Sequence, residues 1–314
     1  MIRVERLTKS YGPQKAVSDI SFTVAKGEVV GFLGPNGAGK TTTMKMITGY
    51  MAPSAGSVQV AGYDVFESPN EVKRLIGYLP ETPPIYGDMR VRDYLDFVSR
   101  LKGKKGADVT RLVDRALEKT NLGDVSRRLI QNLSKGYRQR VGIAQALVSD
   151  PEVLILDEPT VGLDPKQVAE IRKLIKELAG EHTIILSTHI LPEVEASCQK
   201  VIIINKGRIV AEDSLNGLSE RMSHDGQRVF LTVRNSPADF TTRLLALAGV
   251  RSVQAGAKPN SFTIDTEPNE ELIDQLATQV VAWGAGLREI RSAKMELEKI
   301  FLQLTDGGER GGQS

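Results

Sequence analysis

The run Gly34-Pro35-Asn36-Gly37-Ala38-Gly39-Lys40-Thr41 constrains this chain more than any other stretch. Its spacing is glycine, four residues, glycine, lysine, then serine or threonine, the pattern of a loop that turns its backbone N–H groups inward around phosphate. The glycines permit the wrap, Lys40 offers a compact positive charge to the β- and γ-phosphates, and the Thr41 hydroxyl can reach Mg²⁺. Such a loop needs a buried strand before it and a helix after it. Residues 28–33 are a short apolar run, and residues 41–48 contain no breaker before Gly49, so both elements are predicted. The helix N-terminus then directs its partial positive charge at the same phosphates. Together these features predict an α/β chain that holds a nucleoside triphosphate.

A chain of 314 residues has room for two cores. Its formal net charge is +2, from 41 Lys and Arg against 39 Asp and Glu, so no overall basic field points to nucleic acid. The single cysteine, Cys198, reads as an ordinary part-buried thiol; it leaves no internal disulfide and suits a reducing compartment. No run approaches the ~18 to 20 apolar residues of a membrane-spanning helix, and residues 1–5 have no signal-peptide apolar region. A cytoplasmic chain is expected, or one peripheral on a membrane.

Residues 2–7 and 20–24 alternate like half-exposed strands on either side of a turn at Tyr11-Gly12, and residues 57–60 repeat the pattern. A small antiparallel sheet is therefore predicted to lead into the phosphate loop. Tyr11 stands before the second strand of that sheet, where its ring could stack on a purine or pack on its own sheet; the residues leave both readings open. After a helix near 70–75, a strand from Ile76 stops at Pro80 and delivers Glu81 to a loop in which Pro83 and Pro84 forbid regular structure. Helical spacing runs from Val91 to about Leu122, broken at Gly103 and Gly106, where Lys102, Lys104 and Lys105 read as a solvated basic loop. A helix over 137–148 follows, with Ser134 at its N-cap. Arg138 and Arg140 make that helix start a candidate second anion site, with a plain cap as the alternative.

The second strong signal is the apolar run 152–156, of strand length, which ends in Asp157 and Glu158. Beside a phosphate loop, one of these carboxylates would ligate Mg²⁺ and the other would orient or deprotonate an attacking water. Gly162-Leu163-Asp164 then occupies a stiff loop between Pro159 and Pro165, and an amphipathic helix covers 167–178. A buried strand over 183–187 ends at Thr188-His189, which puts His189 where open α/β sheets bind ligands. His182 and His224 read as polar turn residues without a role. A hairpin over 200–204 and 207–211 closes the first domain, and a polar linker covers 216–227. The second domain, 228–305, has the order strand, helix, strand, strand, helix, strand, with a further helix over 295–304. It contains no phosphate loop and no acid–base pair, so it is expected to regulate or to stabilise a dimer, with Trp283 as a core anchor. The tail 306–314 is glycine-rich and expected to be disordered.

In this order, the motifs of residues 1–215 resemble the nucleotide-binding domain of ATP-binding-cassette transporters. The resemblance implies a P-loop α/β fold with an antiparallel β subdomain and a helical subdomain at about 82–150. It implies ATP and Mg²⁺ as cofactors, with Tyr11 on the adenine and Gly34, Pro35, Asn36, Gly37, Ala38, Gly39, Lys40, Thr41 and Thr42 around the phosphates. Thr41, Glu81 and Asp157 would serve the metal, Glu158 would activate water, and Lys40 and His189 would contact the γ-phosphate. Leu133-Ser134-Lys135-Gly136-Tyr137 matches the family signature. Ser134, Lys135 and Gly136, with the loop acid Asp164, would thus cap ATP held by a second subunit, two ATP molecules being sandwiched head to tail.

Two positions depart from the broad family pattern: Lys135 and Tyr137 in the signature, and Glu81 where glutamine is usual. Both variants resemble the bacterial exporter branch that includes gliding-motility, copper-maturation and daunorubicin-type ATPases, as does the ending Leu297-Glu298-Lys299-Ile300-Phe301-Leu302. In that branch the membrane permease is a separate polypeptide. The resemblance therefore implies a homodimer, or a heterodimer with a related ATPase, peripheral on the cytoplasmic face of the membrane. The permease would be gripped through residues 82–101, with Pro83, Pro84, Ile85, Tyr86 and Met89 as contacts or, alternatively, as packing of the helical subdomain. A soluble cassette protein acting on ribosomes or DNA is disfavoured, because the chain has one phosphate loop and no sustained heptads. A GTP switch is disfavoured because Asn205-Lys206-Gly207-Arg208 lacks the acid that reads guanine, and a non-hydrolysing module because both acids and His189 are present.

Overall fold

The N-terminal strands run longer than their alternation predicts. β1 (Ile2–Tyr11) and β2 (Gln14–Val24) pair antiparallel from Ile2↔Val24 out to Tyr11↔Gln14, so Tyr11 ends a strand at a tight hairpin. β3 (Val29–Leu33), buried at every position, leads into the glycine-rich loop and α1 (Lys40–Ile47). β4 (Ala55–Val60) and β5 (Tyr63–Asp64) then complete the antiparallel sheet, in the order β2-β1-β4-β5. The structure is a computed structural model that describes residues 1–215, 217–218, 227–256, 258–267, 269–293 and Phe301. It divides into two units, Met1–Leu215 and Asn216–Ser314.

After α2 (Pro69–Leu75) and β6 (Ile76–Leu79), three helices form a bundle with its own core: α3 (Val91–Leu101), α4 (Ala107–Lys119) and α5 (Lys135–Leu147). Tyr94, Leu95, Val113, Leu117 and Val141 are buried there, and Ile85 and Met89 pack against them. Lys102 is not the solvated loop residue its sequence suggests. Its Nζ donates to the carbonyls of Lys73 at 2.7 Å and Ile76 at 2.9 Å, closing the C-terminal end of α2, and burial lowers its pKa. α5 lies so close to β6 that a Cβ on Gly77 would sit 2.1 Å from the Ala146 carbonyl oxygen. Backbone cannot yield as a side chain can, so Gly77→Ala is expected to cost about 2 kcal/mol or more. Denaturant titration should show a lowered midpoint; an unchanged midpoint would contradict this packing.

β7 (Val153–Asp157), α6 (Pro165–Leu178), β8 (Thr183–Thr188), α7 (Leu191–Ser197), β9 (Lys200–Asn205) and β10 (Arg208–Ser214) complete the first unit. Its main sheet has the order β10-β9-β3-β8-β7-β6, parallel throughout except for the β9–β10 hairpin. β3, β7 and β8 are buried along their whole length, as expected of central parallel strands covered on both faces. His182 is buried rather than set in a polar turn, and its Nδ1 donates to the Pro151 carbonyl at 2.7 Å; His224 lies outside the described residues. Cys198 is buried, and burial pushes its thiol pKa up to about 12, which makes it a poor nucleophile.

In the second unit, β11 (Gln227–Val233), α8 (Phe240–Leu245), β12 (Val250–Ala255), β13 (Ser261–Thr266), α9 (Glu270–Ala282) and β14 (Leu287–Ala293) give the predicted split arrangement. The sheet order is β12-β13-β11-β14, with every pair antiparallel. Leu231, Phe240, Ile264 and Leu276 form its core, and Trp283 meets the Phe240 ring edge-on at 5.8 Å. The predicted linker falls largely outside the described residues, as do nearly all of the predicted last helix and the tail.

Candidate nucleotide site

Strand register assembles the site. Leu33 pairs with Thr188, Asp157 with Ser187, and Leu79 with Leu156, so four parallel strands finish at one edge of the sheet. The residues that follow them, Gly34, His189, Glu158 and Glu81, emerge together at that edge, where open α/β sheets place ligands. Glu81, Glu158 and His189 line a cleft of about 380 Å³ together with Asn36, Lys40, Thr41 and Thr42. Gly34 N donates to the Thr188 carbonyl at 3.3 Å, which ties the start of the loop to β8. Gly39, at φ 108°, must be glycine, because a Cβ there would lie 2.6 Å from the Ala16 carbonyl oxygen.

Lys40 is 6 % exposed. Its Nζ donates to the carbonyls of Gly34 at 2.8 Å and Pro35 at 3.3 Å, and pairs with Glu158 Oε1 at 3.2 Å. The other carboxylate oxygen of Glu158 accepts from His189 Nδ1 at 2.9 Å. Three of the predicted functional groups are thus linked through the buried Glu158 carboxylate, where charge–charge interactions are stronger than in water. Glu158 adopts φ 51°, a left-handed conformation costing about 1 kcal/mol for a residue of this type, and its N–H is held by the Ser187 carbonyl at 2.8 Å. Strain of this kind, fixed by neighbours, is common where a side chain must be aimed.

Asp157 is fully buried, and burial raises its pKa, an effect that the hydrogen bond from Ser187 only partly offsets. Ser187 Oγ donates to Oδ1 at 2.7 Å, and Oδ2 has no hydrogen-bond partner. A buried carboxylate oxygen without a partner, next to a threonine hydroxyl, suits a hard cation with oxygen ligands. Among the described residues no three His, Cys, Asp or Glu side chains form a closed metal cage.

Other predicted residues lie elsewhere. Tyr11 is 49 % exposed and is not part of the cleft wall; its hydroxyl donates to Met51 Sδ at 3.0 Å. Ser134 does cap α5, accepting from Tyr137 N at 3.4 Å, and Lys135 beside it is exposed. Ser134 and Gly136 line a different groove, between the helical bundle and α6. Asp164 caps α6, accepting from Gln167 N at 2.9 Å. The phosphate loop and the second helix-start anion candidate therefore do not share a cleft within one chain. Sequence reading gave no role to Ser187, which orients Asp157; only its place opposite Asp157 in the register reveals it.

A family model described as ABC transporter matches residues 17–161. The chain is 31 % identical over 306 residues to the linearmycin resistance ATP-binding protein LnrL of Bacillus subtilis, covering 97 % of this chain and 98 % of that one. It is 34 % identical over 305 residues to the Nod factor export ATP-binding protein I of Paraburkholderia xenovorans, covering 97 % of this chain and 96 % of the relative. A solved structure, described as the ATP binding subunit of an ABC transporter, matches with a TM-score of 0.65 and 32 % identity over 71 % of this chain and 93 % of that one.

Proposed function

The chain belongs to the ABC transporter family as an ATP-binding, ATP-hydrolysing subunit, and from that premise we propose that two copies close head to tail on ATP to drive a separate membrane permease in export. The observation that carries this reading is the meeting of Lys40, Glu158 and His189 in one cleft, while Ser134 and Gly136 open into another. A second copy supplies the missing cap. A homodimer meets this need with one gene product, and a related ATPase would meet it equally well.

Within each site the loop N–H groups, the α1 N-terminus and Lys40 bind the phosphates. A γ-phosphate seated there takes Lys40 as its partner, which leaves Glu158 held by His189 and free to accept a proton from the attacking water. Bound Mg²⁺ would neutralise charge on the β- and γ-phosphate oxygens. Thr41, Asp157 and Glu81 are the residues to hold it. Tyr11 stacks on adenine in this reading, with Thr42 at the phosphates and Lys135 and Asp164 at the shared interface.

The name of the Paraburkholderia relative supports export as the direction. No helix among the described residues is long and apolar enough to cross a membrane, which agrees with a permease on a separate chain and a peripheral place on the cytoplasmic face. Of the contacts expected in the 82–101 segment, Ile85 and Met89 pack on the helical core, while Tyr86, 53 % exposed and resting edge-on against buried Tyr94, is the proposed grip on the permease, with Pro83 and Pro84 beside it. The second unit is assigned a regulatory or dimer-stabilising role. ATP turnover is expected to exceed GTP turnover and to rise several-fold in membranes containing the partner permease. Phosphate release that ignores both the base and the membranes would contradict the transporter assignment.

A further inference from the structure

Glu193, on α7, is 1 % exposed. Its Oε1 accepts from the Thr160 hydroxyl and its Oε2 from the Thr188 hydroxyl at 2.7 Å. Both threonines are buried, and Thr188 Oγ1 also accepts from Ile190 N at 3.1 Å. Thr160 stands two residues after Glu158, and Thr188 immediately precedes His189. One buried carboxyl group therefore ties together the two loops that present the hydrolytic pair. We propose that Glu193 is a positioning residue for hydrolysis, holding the Glu158 and His189 loops at the separation at which their side chains meet. The proposal rests on the reading of Glu158 and His189 as the hydrolytic pair.

The chemistry favours this over a purely structural role. Neither of its two side-chain partners is a cation, and such a group is costlier to bury than a leucine or methionine of similar volume, which would serve the core equally well. Through Thr160 it anchors the turn that follows the left-handed Glu158 backbone. The hydroxyls reach it from two different strand ends, so its removal frees both at once.

The test compares Glu193→Gln, Thr160→Val and Thr160→Ser with wild type in steady-state ATPase assays, alongside binding of a non-hydrolysable ATP analogue. Gln replaces one acceptor with a donor, Val removes the Thr160 hydroxyl at constant shape, and Ser retains it. Glu193→Gln and Thr160→Val are expected to lower kcat about tenfold or more, with KM and analogue affinity within about twofold of wild type, and Thr160→Ser to recover most of the rate. Wild-type kcat in Thr160→Val, or a loss of analogue binding equal to the loss of kcat, overturns the proposal. If Glu193→Gln does not fold, the Thr160 pair decides alone. Glu158→Gln is assayed in parallel: wild-type turnover there removes the underlying assignment, whereas its loss combined with wild-type rates in Thr160→Val removes only the role of Glu193.

Discussion

Glu158→Gln is expected to hold ATP about as tightly as wild type while hydrolysing it about 100- to 1000-fold more slowly, the range a well-placed general base contributes. The substitution keeps the shape of the side chain and an oxygen for His189, and Lys40 retains its bonds to the Gly34 and Pro35 carbonyls. What disappears is the group that accepts a proton from water. Binding should persist because the loop backbone, Lys40 and the start of α1 do not depend on Glu158. Phosphate release and equilibrium binding of a fluorescent ATP analogue, measured on the same preparation, separate the two effects. Turnover at the wild-type rate would remove Glu158 from the chemistry.

Ser134→Arg should also slow turnover, by another route. Ser134 is exposed at the start of α5, so arginine there is accommodated in the single chain, and the lost cap costs about 1 kcal/mol of helix stability. Each chain keeps its own phosphate loop and is expected to bind ATP normally. The shared site is obstructed, so turnover should fall more than about tenfold and lose its steep dependence on protein concentration. Wild-type hydrolysis by this variant would mean that the helix start is a plain cap.

The parts of the fold buried on both faces were legible in the sequence, because central parallel strands leave continuous apolar runs such as 152–156 and 183–187. The loop was legible because phosphate binding demands glycines and a lysine at fixed spacing. What could not be read was long-range pairing. That Ser187 stands opposite Asp157, and Thr188 opposite Leu33, follows from strand order, which no local pattern carries. Lys102 escapes a sequence reading for a related reason: it stands in a lysine- and glycine-rich break between helices, but the carbonyls it serves belong to α2 and β6. α7 is only seven residues long, too short to display a helical period, and the Pro151 carbonyl that holds buried His182 is 31 residues away in sequence, beyond any local pattern. Ser134 was legible as a helix cap, whereas the proposed completion of its site by a second copy is something no single sequence displays.

The most direct test of the account is the oligomeric state of the Glu158→Gln chain, measured by sedimentation with and without ATP. It is predicted to be monomeric alone and dimeric with ATP, and to remain monomeric with ATP bound when Ser134→Arg is added. A Glu158→Gln chain that binds ATP and stays monomeric, or a double variant that dimerises as well as the single one, would contradict the claim that each site is completed by the signature helix of a second copy.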